Sequence, residues 1–453
     1  MSAPISARLA ALRSLLSWER DGKYANLEID AAVRRWELDG RERGLFTALV
    51  YGVIQWKTAL DYVISLFSRR PPEKLDPPVL QILRMGVLQI LFLDRVPDSA
   101  ACDESVKLTR SAGVSSASSF VNAVLRQTVR QKDSIPYPDP NTEPLRCAEA
   151  VYGFPAPLAK RFFEHFGTER AYRMFSAFNR PAPITLRVNT LRTSRDALLR
   201  DLVSAGTEAQ PAALTETAIR LPDGAPVAEL AALQNGLCFV QDEASQWCAH
   251  LLGALPDERV MDACACPGGK SFSLAMDMEN RGTLLSLDLH RSKLSLIENG
   301  AHRLGIDIIR ADVHDGKEPN PAWFGAFDRV LCDVPCSGYG VIAKKPDLRH
   351  KNPADTDGLP AVQAQILDTA SRYVRTGGTL VYSTCTVFPE ENGDIVNRFL
   401  DAHQEGLGAG VEAEDLLVLL EELRDGDLLL LRGKLDRRGG LLRAVGGFLR
   451  IVV

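Results

Sequence analysis

Apolar residues in the first 130 positions recur at intervals of three and four, the period of an amphipathic helix. Leu9, Leu12 and Leu15 form one such stripe, and the same spacing returns over residues 80–91. Glycine and proline groups, which break helices, interrupt the pattern at 39–40, 70–72, 76–78 and 96–98. Because no strand-like alternation occurs in this stretch, we predict an all-α domain over residues 1–135.

The pattern changes after a linker at residues 133–141, which contains three prolines and is typical of an interdomain segment. Helical spacing at 156–166 is followed by strand-like alternation at 184–189 and by a second helix at 194–205, for which Ser194 is the predicted N-cap. We therefore predict that residues 136–240 form a small α+β linker module.

Strands and helices alternate regularly from about residue 240 to 400. Helical spacing at 290–304 and 360–374 separates short apolar runs. The predicted strands are 259–265, 283–288, 306–311, 329–333 and 379–384. This alternation predicts right-handed βαβ units and a mostly parallel, doubly wound α/β sheet, a Rossmann-like fold, within residues 241–453. Ligands of such sheets bind at the carboxyl ends of the strands.

The composition of the 453 residues, 45% apolar and 25% charged, is that of a folded chain with room for about three domains. No apolar run reaches the roughly 18–20 residues of a membrane helix, and we see no secretory signal. We therefore expect a cytoplasmic protein with no membrane contact. The net charge of −5 gives no indication that the protein binds nucleic acid. Residues 1–135 nevertheless carry a small excess of positive charge, with 19 Lys and Arg against 15 Asp and Glu.

Nine scattered cysteines, an odd number without a C-x-x-C pair, indicate reduced thiols rather than a disulfide scaffold. The seven histidines do not fall at zinc-ligand spacing near them, so we expect no metal site. Five of the cysteines lie within one stretch of about 120 residues, namely Cys264, Cys266, Cys332, Cys336 and Cys385. Chemistry is therefore expected in that stretch.

The loop after the first predicted strand is rich in glycine. Its sequence, residues 266–270, is Cys-Pro-Gly-Gly-Lys, which lets backbone N–H groups approach a ligand. Asp288 ends the second strand, where a carboxylate can accept both hydroxyls of a ribose, and Asp312 follows the third. We interpret this series as a site for an adenosine-containing cofactor. The G-x-G-x-x-G signature is missing, which disfavours a nicotinamide-dependent oxidoreductase.

Two further cysteines follow the fourth and fifth strands. Cys336 comes three residues after Asp333, and Cys385 follows the last strand. Two reachable thiols and a carboxylate beside an adenosine site indicate nucleophilic catalysis on an unreactive ring. Cytosine C5 is such a carbon: a thiolate that adds to C6 turns C5 into a nucleophile, and a carboxyl group near N3 stabilises the adduct.

Several long motifs, in the correct order, resemble the RNA (cytosine-5-)-methyltransferases of the Sun/RsmB and nucleolar NOP superfamily. The stretches that carry the resemblance are 241–246, 262–270, 333–338, 340–349 and 383–392. It implies a class I methyltransferase domain that uses S-adenosylmethionine (SAM). It also implies that Cys385 is the nucleophile, that Cys336 helps to release the product, and that Asp333 contacts the cytosine. The implied SAM-binding residues are Cys264, Ala265, Cys266, Pro267, Gly268, Gly269, Lys270, Asp288, Asp312 and Asp333.

The N-terminal part carries a resemblance of its own, to NusB-type RNA-binding helical domains. It rests on 39–41, 49–52, 82–89, 96–98 and 120–126. A NusB-like domain ahead of this methyltransferase is similar to the bacterial Sun/RsmB enzymes, which act on 16S ribosomal RNA. We therefore expect a monomer whose partner is 16S rRNA or its small-subunit precursor, with the 136–240 module also binding RNA.

Two alternatives remain open: a non-catalytic RNA-binding ribosome-assembly factor that keeps the fold as a scaffold, and a cytosine-C5 methyltransferase that acts on tRNA. The two thiols argue against the scaffold, and the NusB-like domain argues against the tRNA enzyme. For either RNA, we predict a basic face built from Arg187, Arg192, the N-terminal domain and the cations of segment 344–351.

The C-terminus departs from the family pattern. Residues 401–453 are rich in leucine and charge, and they lack the usual proline-histidine segment. Residues 446–453 resemble a remnant of the family's last strand.

Overall fold

The computed structural model describes residues 5–22, 25–38, 40–222, 224–403, 413–414, 416–418, 431–433 and 448–452. Within this part the chain divides into two compact units. The first comprises residues 1–180 and 342–355, and the second comprises 181–341 and 356–453. The boundaries expected after residues 135 and 240 lie inside these units and stay predictions. No described helix is long and apolar enough to cross a membrane.

The first unit contains nine helices in its described residues. They are α1 (Ala7–Asp21), α2 (Ala25–Trp36), α3 (Gly40–Phe67), α4 (Pro77–Phe92), α5 (Asp98–Ser111), α6 (Ser118–Gln131), α7 (Pro144–Tyr152), α8 (Ala156–Phe166) and α9 (Thr168–Phe178). Apolar faces of the first six meet in one core, in which α4 is buried along most of its length. Arg84 of α4 is also buried, and its guanidinium makes paired hydrogen bonds of 2.7 and 2.8 Å to Asp61. The all-α prediction is confirmed for this part of the chain.

A segment from far along the chain completes the first unit. Arg349, in the stretch 342–355, is only 1% exposed. Its Nη1 donates to the carbonyl oxygen of Gln55 (2.9 Å) and to Oδ1 of Asn179 (3.1 Å), and its guanidinium lies 4.5 Å from the centroid of the Phe154 ring. Burial lowers the pKa of Arg349 to about 9. The expectation that Arg349 faces RNA is therefore wrong.

The second unit begins with a small antiparallel sheet. In chain order its elements are β1 (Ile184–Val188), α10 (Arg195–Ser204), β2 (Gln210–Pro211), β3 (Ala218–Leu221), α11 (Ala231–Gln234) and β4 (Cys238–Val240). The strands lie in the order β2-β3-β1-β4. Ser194 caps α10 as predicted, because its Oγ accepts from the amide of Ala197. Arg187 is buried and paired with Asp277 at 2.8 Å, so it too is absent from any basic face.

The large sheet follows, with helices between its strands. The elements are α12 (Glu243–Leu252), β5 (Arg259–Asp262), α13 (Gly269–Asp277), β6 (Thr283–Asp288), α14 (Arg291–Leu304), β7 (Ile309–Val313), β8 (Phe327–Asp333), α15 (Leu359–Ser371), β9 (Val374–Ser383) and α16 (Gly393–Ala402). Strands β9, β8, β5, β6 and β7 are adjacent in that order and parallel. All five predicted strands are present, with ends that differ by up to five residues.

Four short strands follow near the C-terminus. They are β10 (Ala413–Glu414), β11 (Leu416–Val418), β12 (Leu431–Gly433) and β13 (Phe448–Val452). β11 and β12 pair with each other in a separate two-stranded sheet, whereas β10 and β13 extend the large sheet. β13 pairs antiparallel with β9, and β10 pairs with β13. The predicted remnant of a last strand is thus a strand at this edge of the sheet.

Candidate active site

The carboxyl ends of four neighbouring strands carry polar side chains. β5 ends at Asp262, β6 at Asp288, β8 at Asp333 and β9 at Ser383. The register sets Asp333 directly opposite Ser383. Parallel strands end at one edge of a sheet, so residues that are up to 121 positions apart in the chain meet there.

Two cysteine thiols are in contact above this edge. Sγ of Cys336, in the loop after β8, lies 3.0 Å from Sγ of Cys385, in the loop after β9. The backbone N–H of Cys385 also donates to Sγ of Cys336, with an N–S distance of 3.2 Å. The structure therefore brings together the two thiols that the sequence analysis singled out.

The environments of the two thiols differ. The hydrogen bond with Cys385 and burial raise the pKa of the Cys336 thiol well above its ordinary value, and the charge of Glu391 acts in the same direction. Cys385 is exposed, whereas Cys336 is half-buried. Cys336 therefore stays protonated near neutral pH, and Cys385 is the thiol more accessible to a large substrate.

Asp333 is held from two sides. Nζ of Lys270, in the first turn of α13, lies 2.8 Å from Oδ2 of Asp333, and the hydroxyl of Ser383 donates to Oδ1 at 2.7 Å. Burial alone would lower the pKa of Lys270, but the charge of Asp333, the charge of Cys248 and the hydrogen bond to Asp333 together outweigh burial and raise that pKa. The carboxylate is 30% exposed, so it stays oriented while it remains within reach of a ligand.

The loops that carry the thiols are joined to each other by short contacts. The amide of Gly340 donates to the carbonyl oxygen of Cys385 at 2.9 Å, and the hydroxyls of Ser337 and Thr386 lie 2.7 Å apart. A Cβ at Gly340 would lie 2.9 Å from that same carbonyl oxygen, so a larger residue would push the two loops apart.

A buried carboxylate lies beneath these loops. Oε2 of Glu391 accepts from the amide of Ser337 at 2.8 Å and from Nε2 of Gln363 at 2.9 Å. Nε2 of Gln363 also donates to the carbonyl oxygen of Pro335 at 2.9 Å. Neither Glu391 nor Gln363 was predicted from the sequence to be a site residue. Glu391 belongs to the quoted motif 383–392, whereas Gln363 lies in a plain helical stretch that carries no signal.

The glycine-rich loop is closed tightly over its own helix. Gly268 has a φ of +109°, and a Cβ there would lie 2.6 Å from the ring of Phe272. The amide of Ala265 donates to the carbonyl oxygen of Leu287 at 2.7 Å, which ties the loop to β6. A loop of this kind leaves the backbone at the start of α13 open to close approach by a ligand.

The remaining predicted cofactor residues flank this loop. Asp288 is half-buried, and its Oδ1 accepts from the amide of His290 at 2.9 Å. Asp312, on the neighbouring strand β7, is exposed, and its Oδ1 accepts from the amide of Val313. Burial and then the charge of Asp288 raise the pKa of Cys266 to about 12, so this thiol is not a nucleophile. Cys264 is half-buried and Pro267 is exposed.

Polar groups without partners surround the same loop. Asp262 is fully buried, its Oδ2 accepts from Ser271 at 2.7 Å, and burial raises its pKa to about 7. Its Oδ1 and the Nε2 of Gln241 have no hydrogen-bond partner among the described residues. Such atoms usually await a ligand or water. Together with Asp288 and the glycine loop, they fit a cofactor that carries a ribose and a charged amino-acid group.

The described part of the chain contains no cluster of three or more His, Cys, Asp or Glu side chains that could hold a metal ion.

Comparisons with known proteins agree with this architecture. Three protein-family models match the chain. The family of 16S rRNA methyltransferases RsmB/F matches residues 249–416, the NusB family matches residues 5–130, and the ferredoxin-like domain of RsmF/B-like methyltransferases matches residues 154–228. The probable ribosomal RNA small subunit methyltransferase B of Bacillus subtilis (strain 168) is 39% identical over 402 residues, which are 88% of this chain and 89% of the relative. The chain belongs to the ribosomal RNA small subunit methyltransferase B family.

Other relatives extend the comparison. A probable member of the methyltransferase B family from Synechocystis is 33% identical over 414 residues, 88% of this chain and 90% of its own. The solved structure of PH0851 has the same fold, with a TM-score of 0.75, 24% identity and 98% coverage of both chains. The fold is therefore that of this methyltransferase family: a NusB-type helical domain, a small sheet module and a Rossmann-like methyltransferase sheet.

Proposed function

We propose that the protein methylates C5 of a cytosine in 16S rRNA, with SAM as the methyl donor and a covalent bond between Cys385 and C6 as the intermediate. The observation that carries this proposal is the contact between the Cys336 and Cys385 thiols, 3.0 Å apart beside Asp333. A scaffold would need neither thiol, and a methyltransferase without a covalent step would not need two.

Cys385 is the nucleophile in this proposal. Its thiolate adds to C6, the electron pair of the C5–C6 bond moves toward N3, and C5 becomes nucleophilic. Asp333, positioned by Lys270 and Ser383, stabilises the ring at N3. After methyl transfer, solvent takes the C5 proton, the electron pair of the C5–H bond re-forms the C5–C6 double bond, and the bond between C6 and the Cys385 sulfur breaks. Cys336, kept protonated by its surroundings, donates a hydrogen bond to the departing Cys385 thiolate, 3.0 Å away.

The cofactor site is assigned to the glycine-rich loop and the two strand-end aspartates. SAM supplies an electrophilic methyl group on a sulfonium. Asp288 accepts from the ribose hydroxyls, Asp312 orients the adenine amine, and residues 264–270 hold the methionine part. Lys270, the last residue of this stretch, contributes to the site through its hydrogen bond to Asp333.

The choice of 16S rRNA rests on the NusB-type domain and on the names of the relatives, which are ribosomal RNA small subunit methyltransferases. We also propose that the protein acts as a monomer.

Bisulfite sequencing of small-subunit rRNA tests the proposal. Cells without the protein should lack one C5-methylated cytosine, and the wild-type gene should restore it while a Cys385→Ala gene should not. If the Cys385→Ala gene restored the methylated cytosine as well as the wild-type gene does, the scaffold alternative would be favoured. If a methylated cytosine were lost from tRNA and not from 16S rRNA, the substrate would be tRNA and the proposed reaction would be unchanged.

A further inference from the structure

Glu391 and Gln363 together contact the Cys336 loop on both sides of the thiol. Its Oε2 accepts from the amide of Ser337, which directly follows Cys336 (2.8 Å). The same oxygen accepts from Gln363, whose Nε2 also donates to Pro335, the residue directly before Cys336. One carboxylate and one amide therefore fix the backbone on either side of Cys336.

The hydrogen bonds of the Glu391 side chain all lie beside Cys336. Glu391 is fully buried, and both partners of Oε2 are N–H donors. Among the described residues, Oε1 has no hydrogen-bond partner. Within this part of the chain, the side chain therefore binds only Ser337 and Gln363.

The same network extends to the loop of Cys385. The hydroxyl of Tyr382 donates to the carbonyl oxygen of Glu391 at 2.7 Å. The neighbouring Asn392 donates from Nδ2 to the carbonyl oxygens of Thr386 (3.1 Å) and Phe388 (3.0 Å). The backbone of Glu391 is therefore anchored by Tyr382, and the side chain of the next residue, Asn392, holds the second cysteine loop.

We propose that Glu391 is a positioning residue for the release step: it holds the Cys336 loop so that the thiol lies against Cys385 and can donate a hydrogen bond to the Cys385 thiolate as it leaves C6. This inference rests on the proposed function and deepens it. The charge of Glu391 also raises the pKa of the Cys336 thiol.

The decisive variant is Glu391→Gln in the full-length protein, with Glu298→Gln, at an exposed site on α14, as the control. Turnover on 16S rRNA with SAM should fall about tenfold, as expected when two hydrogen bonds to a charged acceptor become bonds to a neutral one. A covalent protein–RNA adduct that survives denaturation should accumulate, because attack by Cys385 continues while release slows. Glu298→Gln should behave as wild type. Circular dichroism checks that each variant is folded.

A residue with only a structural role would give a different result. Substitution of such a residue would lower methylation activity, but no covalent adduct would accumulate. The inference would be overturned if Glu391→Gln gave that result, or if Glu391→Gln turned over as fast as wild type. If Glu391→Gln does not fold, Gln363→Met is the second test, because it removes the hydrogen bonds of Gln363 to Pro335 and Glu391. The inference fails if Gln363→Met does not accumulate the covalent adduct.

A failure of the proposed function would look different again. Wild-type protein would not methylate cytosine, and Cys336→Ala would form no adduct. Alkylation of Cys336 by iodoacetamide, read by mass spectrometry without RNA, adds an independent measurement. The alkylation rate should be several-fold higher in Glu391→Gln than in wild type. An unchanged rate would contradict the proposal that Glu391 positions the Cys336 loop.

Discussion

At the scale of single residues, the two thiols are adjacent but unequal. Cys385 is exposed, and Cys336 is half-buried with a pKa raised by its hydrogen bond to Cys385 and by burial. Adjacent groups with different environments can perform different steps of one covalent cycle. This asymmetry supports the proposal that Cys385 attacks the ring and that Cys336 assists release. It leads to a prediction that distinguishes two inactive variants by whether a covalent RNA adduct accumulates.

Cys385→Ala should abolish methylation and form no covalent RNA adduct, whereas Cys336→Ala should accumulate an adduct that survives denaturation. Loss of stability alone would not make the covalent adduct accumulate in one of two such similar substitutions and be absent from the other. A denaturing gel with labelled RNA and SAM is the measurement. An adduct in Cys385→Ala and none in Cys336→Ala would reverse the assignment, and full activity in both would remove these cysteines from the mechanism.

At the scale of elements, the turn from β5 into α13 depends on glycine. The ring of Phe272 lies where a Cβ on Gly268 would be, and it also faces Gly300 of α14, whose Cβ would lie 2.3 Å from it. The ring therefore cannot move away toward α14 to admit a methyl group. The backbone of Gly268 is in addition left-handed, with a φ of +109°, which an L-residue adopts only with strain.

Gly268→Ala should therefore destabilise the protein by at least about 1–2 kcal/mol and weaken SAM binding. Gly358→Ala is the control, because Gly358 has a φ of −80° and nothing within 4 Å of its Cβ position. It should leave binding unchanged and stabilise the fold by about 0.4–1 kcal/mol. Thermal melts and calorimetry with SAM measure both effects. Equal SAM affinity in Gly268→Ala and wild type would place the cofactor elsewhere.

At the scale of the whole molecule, the first unit is assembled from two distant stretches of chain. The segment 342–355 follows the Cys336 loop directly in sequence, yet it belongs to the helical unit. His350 accompanies Arg349 there, with Nε2 at 2.6 Å from the carbonyl oxygen of Ile54, and burial lowers its pKa to about 3. This imidazole is neutral at physiological pH, so it donates to the carbonyl without the cost of a buried charge.

Arg349→Ala should loosen this assembly, because it leaves a cavity and removes the hydrogen bonds to Gln55 and Asn179. Amide hydrogen exchange in the full-length protein should become about tenfold faster within residues 342–355. Arg110→Ala, at an exposed site on α5, should leave that exchange unchanged. Equal protection of residues 342–355 in Arg349→Ala and wild type would contradict the prediction.

The local patterns were sufficient for much of the fold. Helical spacing before residue 130, the alternation of strands and helices after 240, and the Ser194 cap all depend on residues a few positions apart, and each is confirmed. The motifs also predicted that Asp288, Asp333, Cys336 and Cys385 follow strands of one parallel sheet. Its geometry then requires them to share an edge.

Only the tertiary structure decided which side chains touch. Lys270 and Asp333 lie 63 residues apart, and their contact depends on β8 lying next to β5. Glu391 and Gln363 were not predicted, because a buried acceptor and its donor leave no periodic trace in sequence. Arg187 and Arg349 were misassigned to a surface because a charged residue is exposed by default. Buried partners, which arrive from distant parts of the chain, reverse that expectation.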